Sequence, residues 1–195
     1  MIQFIFIRHA RSIQNKSLGP SQWIISAKGE DEIQNLSNEP EIQKIELLFC
    51  SAEKKAQLTA QGLVTALQKD SFPAILIDKR LNEVDRDKGV FYATEDDFKQ
   101  VVKRGFQEKD ISIGGWEPAT QALERISAFM NELEQKEELK DKIVGIVSHG
   151  TILNLYFSKK GGYYDNANLL YKKWGQTAFC GWGKIVNNKI IRELL

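Results

Sequence analysis

Two apolar runs, each closed by one of the chain's two histidines, constrain the fold more than any other feature of the sequence. Residues 4–7, Phe4-Ile5-Phe6-Ile7, lead into Arg8 and His9, and residues 143–147, Ile143-Val144-Gly145-Ile146-Val147, lead into Ser148, His149 and Gly150. Runs this short and this apolar read as strands buried on both faces, the kind found in parallel sheets. In an α/β sheet ligands bind beyond the carboxyl ends of the strands, which is where Arg8, His9 and His149 stand. One histidine at a strand end is ordinarily a hydrogen-bonded structural residue. Two in equivalent positions, in a chain that has no others, point to a shared pocket.

Between these runs strand and helix signals alternate. Residues 17–21 carry Gly19-Pro20 and read as a loop, and Ser26 caps a helix that runs through Ile33 and Leu36 until Pro40. Residues 45–49 form a second strand, and residues 52–67 a helix with Ala56, Leu63, Val64 and Leu67 at helical spacing. Lys54 and Lys55 then oppose the dipole on that helix's first turn, so an anion nearby would compensate and one lysine is expected to face a ligand. Residues 74–77 read as a short strand, 81–89 as a charged segment ending in a turn, 95–102 and 117–134 as helices, and 105–115 as loop. The run 136–142 reads as a solvated helix end, and a helix over 151–157 follows the 143–147 strand. Residues 161–174 carry no assignable pattern. Residues 177–186 and 189–194 alternate as two strands joined by Asn187-Asn188. The expected architecture is a three-layer α/β/α sandwich, with a mostly parallel central sheet and a C-terminal antiparallel hairpin, as one domain over residues 1–195.

Charge then limits the partners. Lys and Arg number 27 against 26 Asp and Glu, which leaves no field for non-specific attraction to nucleic acid or an anionic membrane, so neither is expected as a partner. The opening apolar run is too short to span a bilayer and lacks the flanks of a secretory signal, so a cytoplasmic enzyme is expected, with Cys50 and Cys180 reduced. Without CxxC or HExxH, the pattern calls for no metal and no cofactor. Arg8, Lys55 and His149 around His9 would make a pocket for a small dianion such as phosphate. A neutral imidazole is a competent nucleophile toward phosphorus, and Glu83, ahead of Asp85 and Asp87, is the candidate proton donor. Cys50 does not begin a tyrosine-phosphatase loop, because position 56 is Ala rather than Arg.

These residues carry a family resemblance. The stretch from Arg8 through Asn15 resembles the Arg-His-Gly motif, with its downstream Ser and Asn, of the histidine phosphatase superfamily, the phosphoglycerate-mutase-like proteins. The stretch from Ile25 to Gly29 is similar to the family's Leu-Thr-x-x-Gly helix start, and that from Cys50 to Ala60 to its Ser-Ser-x-x-x-Arg-Ala-x-Gln-Thr-Ala segment. Leu81-Asn82-Glu83 resembles its Leu-x-Glu, Gly115-Trp116-Glu117 its Gly-Glu-Ser helix start, and Val147-Ser148-His149-Gly150 its second histidine motif. The order is the family's, and the matches span nearly the whole chain.

The resemblance implies a metal-independent phosphatase that works in two steps. His9 would attack the phosphoryl group while Glu83 protonates the departing alcohol, and Glu83 would then deprotonate the water that releases phosphate. Arg8, Lys55 and His149, with Asn15 assisting, would hold the phosphoryl oxygens. Two positions depart from the pattern: Lys55 replaces an arginine, exchanging a planar fork for a mobile point charge, and Ala10 puts a methyl group in a turn that the family builds with glycine. Arg11 reads either as a solvated cation or as a contact for a substrate's second anionic group, and Arg86 and Lys88 invite the same idea. The expected substrate is a small phosphorylated metabolite. A phosphoglycerate mutase, or a catalytically weak regulatory protein that binds phospho-ligands, remain alternatives. Specificity is expected in loops such as 19–23 and 105–115, and the sequence does not define an oligomeric state.

Overall fold

A computed structural model describes residues 2–68, 75–87, 89–92 and 94–195. Its strands are β1 (Gln3–Arg8), β2 (Leu47–Cys50), β3 (Leu76–Ile77), β4 (Ile143–Ser148), β5 (Trp182–Val186) and β6 (Lys189–Arg192), in the order β3-β2-β4-β1-β5-β6. β3, β2, β4 and β1 run parallel, and β5 and β6 add an antiparallel edge. Among the described residues six α-helices accompany the sheet: α1 (Ala27–Ser37), α2 (Lys54–Ala66), α3 (Glu95–Gln107), α4 (Ala119–Glu134), α5 (Gly150–Lys160) and α6 (Ala167–Gln176).

Strand alternation decides which side chain faces which layer. Phe4 and Phe6 of β1 and Val144 and Ile146 of β4 enter a core built with α3, α4, α5 and α6. Ile5 and Ile7 of β1 enter a second core with Ile33 and Leu36 of α1 and Ala56, Ala60 and Leu63 of α2. Both faces of the sheet are therefore covered, which is why β1 is apolar from Phe4 to Ile7 and β4 from Ile143 to Val147. This is the expected α/β/α arrangement, mostly parallel with an antiparallel hairpin. Asn187 and Asn188 make its turn with φ of 48° and 63°, the conformation a two-residue hairpin requires.

The loop behind β1 is fastened to α1. Ser12 bridges Ile25, Ser26 Oγ accepts from the Gly29 N–H at 3.1 Å, and a Cβ at Gly29 would lie 2.4 Å from the Arg11 carbonyl oxygen. Only glycine allows α1 to approach the Arg11 backbone that closely.

Several boundaries differ from the sequence expectation. α3 continues through Gly105 to Gln107 because Phe106, 1% exposed, adds a buried contact beyond the glycine. Residues 136–142 form a 3₁₀ turn over Glu137–Leu139 rather than a helix end, pinned by buried Leu139. The unassigned stretch contains α6, and β5 begins only at Trp182, residues 177–181 being a turn region. The strand expected over 74–77 is seen as β3, with Ala74 outside the described residues.

Phe6 is fully buried against Tyr156 and Phe157, with ring centroids at 5.5 and 5.3 Å. Phe6→Ala is expected to lower stability by about 3–5 kcal/mol, read as a lower urea midpoint with an unchanged slope.

Candidate active site

Parallel pairing of β1 with β4 sets Arg8 opposite Ser148, so the next residue on each strand is a histidine. The two rings lie at 5.0 Å between centroids, so the structure brings the two histidines together, with His9 lining the cavity described below and His149 buried behind it. His9 is 6% exposed and His149 fully buried. The His9 N–H donates to the Ser148 carbonyl at 2.8 Å, and Nδ1 lies 2.7 Å from the Ala10 carbonyl oxygen. Because a carbonyl only accepts, that contact puts the ring proton on Nδ1 and leaves a lone pair on Nε2.

Ala10 is fully buried, its N–H donates to Thr59 Oγ1 at 3.0 Å, and its φ is not in the left-handed region. The methyl group therefore sits in this turn without backbone strain.

His149 ends β4 as the residue before α5, with Nε2 at 2.7 Å from Ser51 Oγ and Nδ1 without a partner. Burial, then the charges of Lys55, Arg86, Arg125 and Arg8, holds its pKa well below the usual 6.5. Burial again comes first for His9, followed by His149, Lys55 and Arg8, and lowers it in the same direction. Arg8 is brought down to about 10 by burial; it donates from Nη1 to the Thr177 carbonyl at 2.5 Å and stacks on Phe179 at 4.0 Å.

Lys55, at 1% exposure, is the lysine turned inward, whereas Lys54 is exposed. Its Nζ pairs with Glu53 Oε2 and donates to the Pro20 carbonyl at 2.8 Å. Glu83, 7% exposed, lies at the start of α5: Oε1 accepts from the N–H groups of Val84 and Ile152, and Oε2 from that of Thr151, each at 3.0 Å. Asp85 and Asp87 do other work. Asp85 Oδ1 accepts from the Asp87 N–H at 3.1 Å, and the Asp87 carboxylate accepts from both the N–H and the hydroxyl of Ser21.

Above these groups opens a cavity of about 890 Å³ that reaches Arg8, His9, Lys55 and Glu83. A second cavity of about 430 Å³ shares Pro20, Glu83, Arg86 and Asp87 with it. Arg86 lines the larger one with its guanidinium over Phe98 at 5.0 Å, Trp116 at 5.3 Å and Trp23 at 5.9 Å. Arg11 reaches the rim but is held by Glu32 of α1, at 2.9 Å from its N–H and 3.1 Å from Nε. Asn15 is not brought into the cavity. Its exposed side chain accepts from the Ser17 N–H at 2.9 Å, a local turn contact, and Gln14 and Lys16 line the wall in its place. Lys88 lies outside the described residues.

Sequence reasoning missed Arg125 and Glu53. Arg125 of α4 donates to the carbonyl oxygens of Arg80, Asn82 and Glu83 at 2.9, 2.7 and 2.7 Å and pairs with Glu117 at 2.8 Å, which fastens the segment that carries Glu83. The available signal was Glu117 at a helix start with a cation a little over two turns further along. Cys50 and Cys180 are free and buried, and burial pushes both thiols up to about 12, which favours the thiol over the thiolate. Among the described residues no group of His, Cys, Asp and Glu has the arrangement of a metal site, and no helix is long and apolar enough to cross a membrane.

Two histidines at the ends of adjacent parallel strands, ringed by Arg8 and Lys55 and faced by a buried carboxylate, define a class. A model of the histidine phosphatase superfamily (branch 1) matches residues 4–167, and the chain belongs to that family. Membership supports the expectation of a phosphoric monoester hydrolase. Among solved structures, a mycobacterial glucosyl-3-phosphoglycerate phosphatase complexed with VO3 aligns over 100% of this chain and 98% of its own, with TM-score 0.73 at 16% identity. The alpha-ribazole phosphatase of Shigella flexneri aligns over 100% and 96%, with TM-score 0.67 at 20% identity. A mutant phosphoserine phosphatase from Entamoeba histolytica, in complex with phosphoserine, aligns over 98% and 95%, with TM-score 0.71 at 15% identity. At these identities the likeness is one of fold. A search of curated protein sequences finds no match.

Burial holds the pKa of both imidazoles well below 6.5 in the folded chain, whereas unfolding returns them to about 6.5. The unfolded state then binds more protons as the pH drops below about 6.5, so these two groups make stability fall toward acid. The urea midpoint is expected to fall between about pH 7.5 and pH 5.5, and to fall less in His9→Gln, which has one titrating imidazole fewer.

Proposed function

We propose that the chain is a metal-independent phosphatase that hydrolyses a small phosphomonoester through a phosphohistidine on His9, acting as one domain in the cytoplasm. The observation that carries this reading is the 2.7 Å contact between His9 Nδ1 and the Ala10 carbonyl, which leaves Nε2 unprotonated on a ring that lines the cavity with Arg8 and Lys55 and lies 5.0 Å from the His149 ring. A nucleophile of that kind needs no activating base, because burial already keeps the imidazole neutral.

In this reading Nε2 forms a bond to phosphorus as the ester oxygen leaves. Arg8, Lys55 and His149 stabilise the phosphoryl oxygens as charge shifts. The Ser51 hydroxyl donates to Asn82 Oδ1 at 3.0 Å, so His149 Nε2 donates to Ser51 Oγ at 2.7 Å, and Nδ1 can donate to the phosphoryl group once the bound dianion draws a proton onto the ring. Glu83 supplies a proton to the departing oxygen and later takes one from the water that cleaves the phosphohistidine. Its three backbone donors fix the carboxyl group at the start of α5, and Arg125 holds the segment behind it.

The substrate is a small phosphorylated metabolite. A cavity of about 890 Å³ accommodates an alcohol beyond the phosphate, and Trp23, Phe98, Trp116 and Phe179 in its walls favour one with an apolar or planar part. Arg86, with Nε unpartnered, is better placed than Arg11 to meet a second polar group, since Glu32 already occupies Arg11. The solved relatives complexed with VO3 and with phosphoserine support a phosphate ester as ligand. The free cysteines fit a reducing compartment.

Incubation with p-nitrophenyl phosphate and a chelator is expected to release phosphate, and His9→Ala to reduce the rate about a thousandfold or more with loss of an acid-labile phosphohistidine. Turnover by that variant equal to wild type would sink the reading. Glu83→Gln is expected to cost about 10²–10⁴-fold on an alkyl phosphate and much less on p-nitrophenyl phosphate, whose leaving group needs little protonation.

A further inference from the structure

Glu53 and Lys55 form a buried ion pair beside the two histidines. Position 53 falls on an unconstrained place in the segment from Cys50 to Ala60, yet its side chain is 6% exposed and both its oxygens are engaged inside the site. Oε2 pairs with Lys55 Nζ, while Oε1 accepts from the Glu83 N–H at 2.7 Å and lies 3.7 Å from His149 Nε2.

Lys55 faces Glu53 from the start of its own helix and the Pro20 carbonyl from the 20–22 turn. Glu83 and Arg86 face it from the segment after β3, His9 from the end of β1, and His149 from the end of β4. Burial is the largest influence on this lysine and favours the neutral amine; Glu53 is the leading influence in the other direction. A guanidinium keeps its proton in such a place without help, whereas an ammonium does not. Replacing arginine by lysine at a buried anion site therefore creates a need for a fixed negative charge. Glu53 also lies at the start of α2, where it offsets the dipole that Lys54 and Lys55 oppose.

We infer that Glu53 is a positioning residue that keeps Lys55 an ammonium pointed into the phosphate pocket, and that residues 53 and 55 form one coupled unit. Glutamate is needed at 53 while 55 is lysine and becomes dispensable when 55 is arginine. The inference rests on the reading that Lys55 holds phosphate.

Glu53→Gln removes the charge and keeps an acceptor for the Glu83 N–H, so it separates charge from backbone support. The variant is made in the natural chain and in Lys55→Arg, with thermal melts to establish folding, and kcat/KM for p-nitrophenyl phosphate is followed against pH. In the natural background the alkaline fall in rate is expected to move to lower pH by about one to three units, because the lysine loses its proton sooner. In the Lys55→Arg background no such movement is expected. The Lys55 side-chain NMR signal, assigned by its absence in Lys55→Arg, gives the same titration without turnover, and its midpoint is expected to move down together with the rate. A Lys55 titration that Glu53→Gln leaves unmoved overturns the inference. So does an equal, pH-independent loss of rate in both backgrounds, which would reduce Glu53 to a prop for the Glu83 backbone. A natural chain that hydrolyses no phosphate ester would instead sink the phosphatase reading, and the NMR titration would still decide the pairing.

Discussion

The parallel pairing of β1 with β4, in register from Gln3 opposite Ile143 to Arg8 opposite Ser148, is the constraint on which the site depends. Parallel strands release their next residues at the same edge of the sheet, and here those residues are His9 and His149. The His9 N–H bonded to the Ser148 carbonyl carries the ladder one step beyond the last strand residue, so the nucleophile candidate stands on sheet rather than on loop. A slip of one residue would exchange the two faces of β1 and send Phe4 and Phe6 into the core that holds Ile5 and Ile7. Packing of both cores thus protects the alignment of the two rings.

That alignment concentrates positive charge in a buried place. Arg8, Lys55, Arg86 and Arg125 all act on the His149 ring, and the fold moderates them in different ways. Arg8 is cushioned by Phe179 and a carbonyl, Arg86 by aromatic faces, and Arg125 by Glu117 and three carbonyls. Lys55 is paired with the buried carboxylate of Glu53, whose other oxygen accepts from the Glu83 N–H. Aromatic faces and carbonyls soften a cation while leaving it attractive to an anion, whereas a carboxylate competes with that anion directly. The difference separates Lys55 from Arg8 and Arg86.

Much of this was legible in the sequence because the informative residues stand at the ends of short apolar runs. The strand leading to His9 and the strand leading to His149 could be read in isolation, and Ser26, Gly29 and the Asn187-Asn188 turn announced their own geometry. What stayed hidden depended on tertiary contacts. α6 carries Ala167, Leu170, Tyr171 and Trp174 at i, i+3, i+4 and i+7, a stripe obscured because Leu170 is its one fully buried residue and the other three lie partly exposed against neighbours. Gly105 read as a breaker, and only the pocket that receives Phe106 overrides it. Asn15 matched a motif, but its side chain is captured by its own turn, a competition between local and distant partners that spacing does not reveal. Glu53 was invisible for the opposite reason: a carboxylate beside two lysines looks like a solvated surface pair until burial is known.

The place of β4 in the sheet has a consequence for how such a chain is made. It lies between β1 and β2, although both are synthesised long before it. At ordinary rates of translation the two early strands wait on the order of ten seconds for the segment that fills the gap between them. During that interval they present unpaired backbone on the very edges that later face β4. Holding those edges apart, rather than forming any local turn, is the demand that this topology places on a nascent polypeptide and on the chaperones that meet it.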